Sequence, residues 1–139
     1  MKILNSILLK EKMMDLYKES LMDHYRNPRN HGKLENPDFS TTGDNPSCGD
    51  SILMEGIIKD GILTDVKFSG YGCVLSQASS SMLSEQAKGK KIEEILKMDK
   101  NYMMKLVGSQ LGPNRLQCAM LSLEALQKGI KIYKAKKEK

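Results

Sequence analysis

The dipeptide Asp60-Gly61 limits the folds open to this chain more than any other pair of residues. It lies between two runs that read as strands, Ser51–Ile58 and Ile62–Phe68, with Lys59-Asp60-Gly61 as the connection. Asp-Gly tolerates the left-handed backbone that a tight antiparallel turn needs. A hairpin is therefore predicted near the middle of the sequence. In its second strand Ile62, Thr64, Val66 and Phe68 share one face, while Asp65 and Lys67 point away. Ser69-Gly70-Tyr71-Gly72 reads as a glycine turn leading into a third short strand.

Helical patterns flank the hairpin. Residues 11–26 place Met14, Tyr17, Leu21 and Tyr25 at three- and four-residue steps. Asn27-Pro28 ends that helix, because the residue before proline avoids the α region. Residues 27–47 read as a polar connector with a turn at Asn30-His31-Gly32. So long an irregular segment in a small domain moves or belongs to a site. A helix follows Cys73 and runs to Lys88, with Ala78, Met82, Leu83 and Gln86 as its stripe and Gly89 as its C-terminal cap. Residues 91–98 and 99–107 read as short helices and Gly108–Arg115 as a loop. A last helix from Cys118 to Lys134 carries Leu121, Ala125, Leu126, Ile130 and Tyr133. The class is α+β, a small antiparallel sheet with helices packed on one face.

At 139 residues one domain is expected, with residues 1–12 as an N-terminal extension and 13–139 as the domain. No apolar run approaches the ~20 residues of a membrane span. The apolar start is broken by Asn5 and Ser6, runs into Lys10-Glu11-Lys12, and has no small-residue cleavage site, so no signal peptide is expected. Three cysteines do not make an even disulfide framework, which points to a reducing, cytoplasmic setting. The net charge of +5 gathers in a tail with Lys128, Lys131, Lys134, Lys136, Lys137 and Lys139. Without interleaved arginine or aromatic residues this reads as a solvated helix end, and no nucleic-acid partner is expected. The ten methionines read as core filler.

Cys48, Cys73 and Cys118 are far apart in sequence and form no C-x-x-C pair. By spacing alone such cysteines are more often small buried apolar residues than ligands. Their predicted positions favour convergence. Cys48 and Asp50 enter the first strand on one side. Cys73 precedes one helix and Cys118 starts another, where free backbone N–H groups suit a thiolate. Three thiolates and a carboxylate suit zinc, copper(I) or an iron–sulfur cluster. Where four thiolates make a closed site, a harder carboxylate weakens one corner, as suits a carrier. Neither His24 nor His31 lies near a cysteine, which argues against a cysteine hydrolase. His24, on the first helix, is assigned a hydrogen-bonded structural role.

The flanks add more. Leu16-Tyr17, Asp23-His24-Tyr25-Arg26-Asn27-Pro28-Arg29-Asn30, Asn45-Pro46-Ser47-Cys48-Gly49-Asp50, Val66-Lys67-Phe68-Ser69-Gly70-Tyr71-Gly72-Cys73, Gln77-Ala78-Ser79-Ser80-Ser81, Lys88-Gly89-Lys90 and Leu116-Gln117-Cys118-Ala119 follow one another in order. Together they resemble the IscU/NifU-type iron–sulfur cluster assembly scaffold family, including its SufU branch, over about residues 13–134. The resemblance implies an α+β scaffold with a three-stranded sheet. It implies a transient [2Fe–2S] cluster on Cys48, Asp50, Cys73 and Cys118, or Zn2+ in the cluster-free form. Cys48, Cys73 and Cys118 are then the candidate sulfur acceptors. The implied partners are a cysteine desulfurase, donors of iron and electrons, and apo iron–sulfur proteins, with no membrane. The implied role is a carrier, not a turnover enzyme. The alternative is a zinc-dependent sulfur acceptor of the SufU type that activates the desulfurase, a sulfurtransferase-like role. Gln117 stands where the IscU branch has His before the third cysteine. Leu111-Gly112-Pro113-Asn114-Arg115 departs from that branch's chaperone-recognition segment and does not support a dedicated Hsp70 partner. Gln117 and the serines after Cys73 lean to SufU, whereas the spacing of 45 positions from Cys73 to Cys118 is the shorter one typical of IscU.

Overall fold

Asp60 and Gly61 adopt left-handed φ of 53° and 75° and close the predicted hairpin. A computed structural model describes residues 8, 9, 16, 18–47, 49–108 and 111–137. Their order is helix α1 (residues 18–26), β1 (Phe39–Asn45), β2 (Asp50–Lys59), β3 (Ile62–Tyr71), α2 (Val74–Ala87), α3 (Ile92–Leu96), α4 (Lys100–Val107) and α5 (Pro113–Lys137). The three strands form one antiparallel sheet in the order β1-β2-β3. The α+β class with a three-stranded sheet thus holds. The expected 12/13 boundary, and Met14 and Tyr17 of the first helical stripe, lie outside the described residues.

Several local expectations change. The third strand does not follow Ser69–Gly72, whose first three residues continue β3 to its end at Tyr71; it is β1, inside the segment read as an irregular connector. A bulge separates Ile57 from Ile58, which pair with Asp65 and Leu63 and leave Thr64 as the extra residue. The inward face therefore carries Leu63, Val66 and Phe68, while Thr64 faces out. α2 buries Ala78, Met82 and Leu83 as expected, but Gln86 is exposed. The last helix begins at Pro113 and ends at Lys137, longer at both ends than the periodicity suggested. At its basic end Lys134 Nζ lies 2.5 Å from Glu93 Oε1, and the Lys137 ammonium lies 5.3 Å from the Tyr133 ring centre.

β1 escaped detection because its inward residues are Phe39, Thr41, Gly43 and Asn45, not an apolar alternation. They match a row on α5 instead. A Cβ on Gly129 would overlap the Phe39 ring, and one on Gly43 would overlap the Leu121 carbonyl oxygen. Between them the Thr41 hydroxyl donates to Ala125 O at 2.5 Å. Two strand residues advance about 6.7 Å and four helical residues about 6.0 Å, so strand and helix stay in step. The next strand position, Asn45, meets Cys118, one helical turn of three residues before Leu121.

α2 faces α1 and the connector with serine. Ser76, Ser79, Ser80, Ser81 and Ser84 are all fully buried. Ser81 Oγ accepts from Arg29 N at 2.8 Å and lies 2.7 Å from His24 Nδ1. Asn30 Nδ2 donates to Ser84 Oγ at 3.0 Å. His24, not Tyr25, is thus the inward residue at this end of α1, and Tyr25 is exposed. Asn30 and Gly32 then bond to both sides of Phe68 at the β3 edge, each at 2.9 Å. The chain crosses the outer face of the sheet, where Leu34 N donates to the buried Glu55 carboxylate at 3.2 Å.

Burial and the Arg29 charge hold the His24 imidazole below its ordinary pKa, against the pull of Glu85 and Asp23. The unfolded chain then binds the extra proton at a pH near 6.5 and below. Stability is fully present above that pH and falls as pH drops through it. The urea midpoint is expected to decrease between pH 7.5 and pH 5.5, and His24→Asn is expected to flatten that slope. An unchanged slope in the variant would remove His24 from the account.

Candidate metal centre

Three elements end at one place. Asn45 and Asp50 are directly paired across β1 and β2, and both side chains are buried. β3 ends at Tyr71, the chain passes Gly72, and Cys73 occupies the N-cap position of α2. α5 crosses the same corner and supplies Cys118. One ligand atom each from Asp50, Cys73 and Cys118 lie within 4.8 Å of one another. A tetrahedral ion with bonds of about 2.3 Å needs ligand atoms roughly 3.8 Å apart, so small side-chain rotations close the set. Cys48 lies outside the described residues. On either side of it, Gly49 N donates to Asn45 O at 2.9 Å.

Exposure differs among the three. Cys73 is exposed, Cys118 is 7% exposed and Asp50 is 6% exposed. Asp50 Oδ2 is buried with no hydrogen-bond partner among the described residues. A buried carboxylate oxygen left this way costs about 1–3 kcal/mol or more, and a cation would remove that cost. The donor set and the orphaned oxygen therefore fit a thiophilic metal or a cluster. Gly72 admits this packing, because a Cβ there would overlap Ser76 Oγ and stand 3.0 Å from Asp50 Cγ.

One positional expectation is corrected. Cys118 is the sixth residue of α5, beyond the four free N–H groups of a helix start. Its place at the corner comes from the β1–α5 register instead. Two residues beside the sulfurs were not singled out for a role by sequence reasoning. Asn45 Nδ2 lies 4.0 Å from Cys118 Sγ, and Cys73 Sγ lies 3.7 Å from Ser76 Oγ. Asn45 opens the motif around Cys48 and Ser76 falls between two motifs, but neither residue type announces a contact to sulfur. His24 and His31 are not in this constellation.

Among the described residues no helix is long and apolar enough to cross a membrane. The family model described as NifU-like N terminal domain matches residues 16–139. The "Iron-sulfur cluster assembly scaffold protein IscU 1" of Archaeoglobus fulgidus is 39% identical over 118 residues, covering 85% of this chain and 76% of that protein. The "Zinc-dependent sulfurtransferase SufU" of Bacillus subtilis is 39% identical over 132 residues, covering 83% of this chain and 89% of that protein. The crystal structure of a NifU-like N-terminal protein from Brucella abortus shares the fold, with a TM-score of 0.70 at 21% identity, over 89% of this chain and 99% of that one.

Proposed function

This chain belongs to the NifU-like N-terminal domain family, and from that premise we propose that it is an iron–sulfur cluster assembly scaffold. It takes sulfur from a cysteine desulfurase, holds a labile [2Fe–2S] cluster on Cys48, Asp50, Cys73 and Cys118, and passes it to apo-proteins in the cytoplasm. The observation that carries this reading is the approach of Asp50, Cys73 and Cys118 from three separate elements to within 4.8 Å.

Sulfur transfer needs a thiolate of this chain to attack the outer sulfur of the desulfurase's cysteine persulfide. The old S–S bond breaks with its electron pair leaving on the desulfurase thiolate, and a new S–S bond forms here. Cys73 offers the more accessible sulfur of the two described cysteines. Iron and electrons come from other donors. The finished cluster is cargo, and the chain is a carrier rather than a turnover enzyme.

Anaerobic incubation with iron, cysteine and a desulfurase is expected to produce the absorption of a [2Fe–2S] centre in near-stoichiometric amount. Cys118→Ser is expected to lose most of it, since a hydroxyl is a poor ligand for this metal. A protein that gains no cluster and leaves the desulfurase rate unchanged would sink the proposal.

A second reading has its own support in the likeness to SufU and in Gln117, a neutral amide that cannot act as base before Cys118. In it the same four side chains hold Zn2+, which lowers the thiol pKa of its ligands and keeps a sulfur ready to accept. Metal analysis of anaerobically purified protein separates the two. Stoichiometric zinc that resists exchange for iron, together with strong desulfurase activation, selects the sulfur acceptor.

A further inference from the structure

Behind each described sulfur stands one buried polar side chain outside the ligand set. Asn45, 5% exposed, ends β1 with Nδ2 4.0 Å from Cys118 Sγ. Ser76, fully buried in the first turn of α2, has its Oγ 3.7 Å from Cys73 Sγ. The same hydroxyl donates to Cys73 O at 3.1 Å. It also shares the space beside Gly72 with the Asp50 carboxyl, since a Cβ there would overlap Ser76 Oγ and stand 3.2 Å from Asp50 Oδ2.

We propose that Asn45 and Ser76 are positioning residues that hydrogen-bond the Cys118 and Cys73 sulfurs in the metal-bound state and so set the electron density on the bound centre. The inference rests on the reading above, that this corner holds a cluster or zinc. In the metal-free protein the Cys73 thiol donates to Ser76 Oγ. A metal-bound thiolate has no hydrogen to give and attracts donors instead. The Ser76 hydroxyl then turns from Cys73 O towards the sulfur, a rotation about one bond. The Asn45 amide is already directed at Cys118, because its place is set by the contacts of Phe39, Thr41 and Gly43 with α5. Both donors are screened from water, so little competes with them. A hydrogen bond to a ligating sulfur draws electron density from it and raises the reduction potential of the centre.

The test loads the full chain anaerobically with Co2+, and separately with the [2Fe–2S] cluster, as the unmodified protein and as Asn45→Leu, Asn45→Asp, Ser76→Ala and Ser76→Thr. Asn45→Leu and Ser76→Ala are expected to move the sulfur-to-cobalt charge-transfer band to longer wavelength and the cluster potential downward. Ser76→Thr keeps the hydroxyl and is expected to match the unmodified protein. Asn45→Asp, nearly the same shape, guards against a variant that fails to fold; it replaces the donor by a charge and is expected to shift both readouts the same way. A purely structural role would reduce the amount loaded without moving band or potential, and that result overturns the inference while leaving the proposed function intact. An unmodified protein with no charge-transfer band at all would overturn both.

Discussion

Asp50→Ala is expected to make the bound cluster outlast that of the unmodified protein, with transfer to an apo-protein slowed about tenfold or more, a barrier increase of at least roughly 1.4 kcal/mol. Of the four proposed ligands the carboxylate is the hard one and the easiest to exchange. A recipient's cysteine arrives as a thiol, and its proton needs an acceptor before the sulfur can bind iron. Asp50 Oδ2 is buried and has no hydrogen-bond partner among the described residues, and in the proposed site it would be the group to accept that proton on release of the cluster. Alanine removes both the exchanging ligand and the acceptor. Asp50→Asn keeps the volume and loses the base, so it is expected to behave like alanine in transfer. The measurement is the rate of cluster arrival on an apo-ferredoxin, followed by its own absorption. Equal transfer rates in all three proteins would show that the carboxylate does not govern release.

Phe39→Ala is expected to lower stability by about 3–5 kcal/mol, a large part of the 5–15 kcal/mol typical of a domain. The ring fills the space between two glycines on different elements. A Cβ on Gly56 of β2 or on Gly129 of α5 would overlap it. Its removal leaves a cavity that backbone on both sides cannot close without shifting. Gly129→Ala is expected to destabilise the unaltered chain through the same ring, and through Thr41 Oγ1, 2.7 Å from the added carbon. In Phe39→Ala/Gly129→Ala the clash with the ring is gone and the methyl occupies part of the hole. The double variant is therefore expected to lose less than the sum of the single losses, by about 1 kcal/mol or more. Urea midpoints at constant m-value give the three losses. Additive losses would mean that ring and glycine do not share this space. The site provides a second readout, because the Phe39–Gly129 contact begins the register that ends at Asn45 and Cys118.

How much was legible depended on whether the cause was local. Asp60-Gly61 could be read because its turn needs a backbone that few residues tolerate. Gly89 at the end of α2 and Pro28 after α1 are the same kind of signal, and both elements stop where expected. Cys48, Asp50, Cys73 and Cys118 stood out because their flanking motifs resemble those of the scaffold family, and the fold brings the three described ones together. The serines of α2 misled the stripe, since each buried hydroxyl is satisfied by the helix's own carbonyls or by α1 and the connector. A polar residue reads as solvent-facing until its partner is known.

By itself the sequence determined the class, the hairpin, most helix ends and which thiols and carboxylate were candidate ligands, because turn chemistry, helix caps and ligand chemistry act within a few bonds of the residue. Only the tertiary structure decided that Phe39–Asn45 is a strand and that Cys118 faces the corner from the second turn of its helix. Both outcomes come from the close approach of Gly43 to the Leu121 backbone and of the Phe39 ring to Gly129, contacts between segments some eighty to ninety residues apart. Such an approach depends on the missing side chain of glycine and on the matched advance of strand and helix, and it leaves no alternating apolar trace along β1.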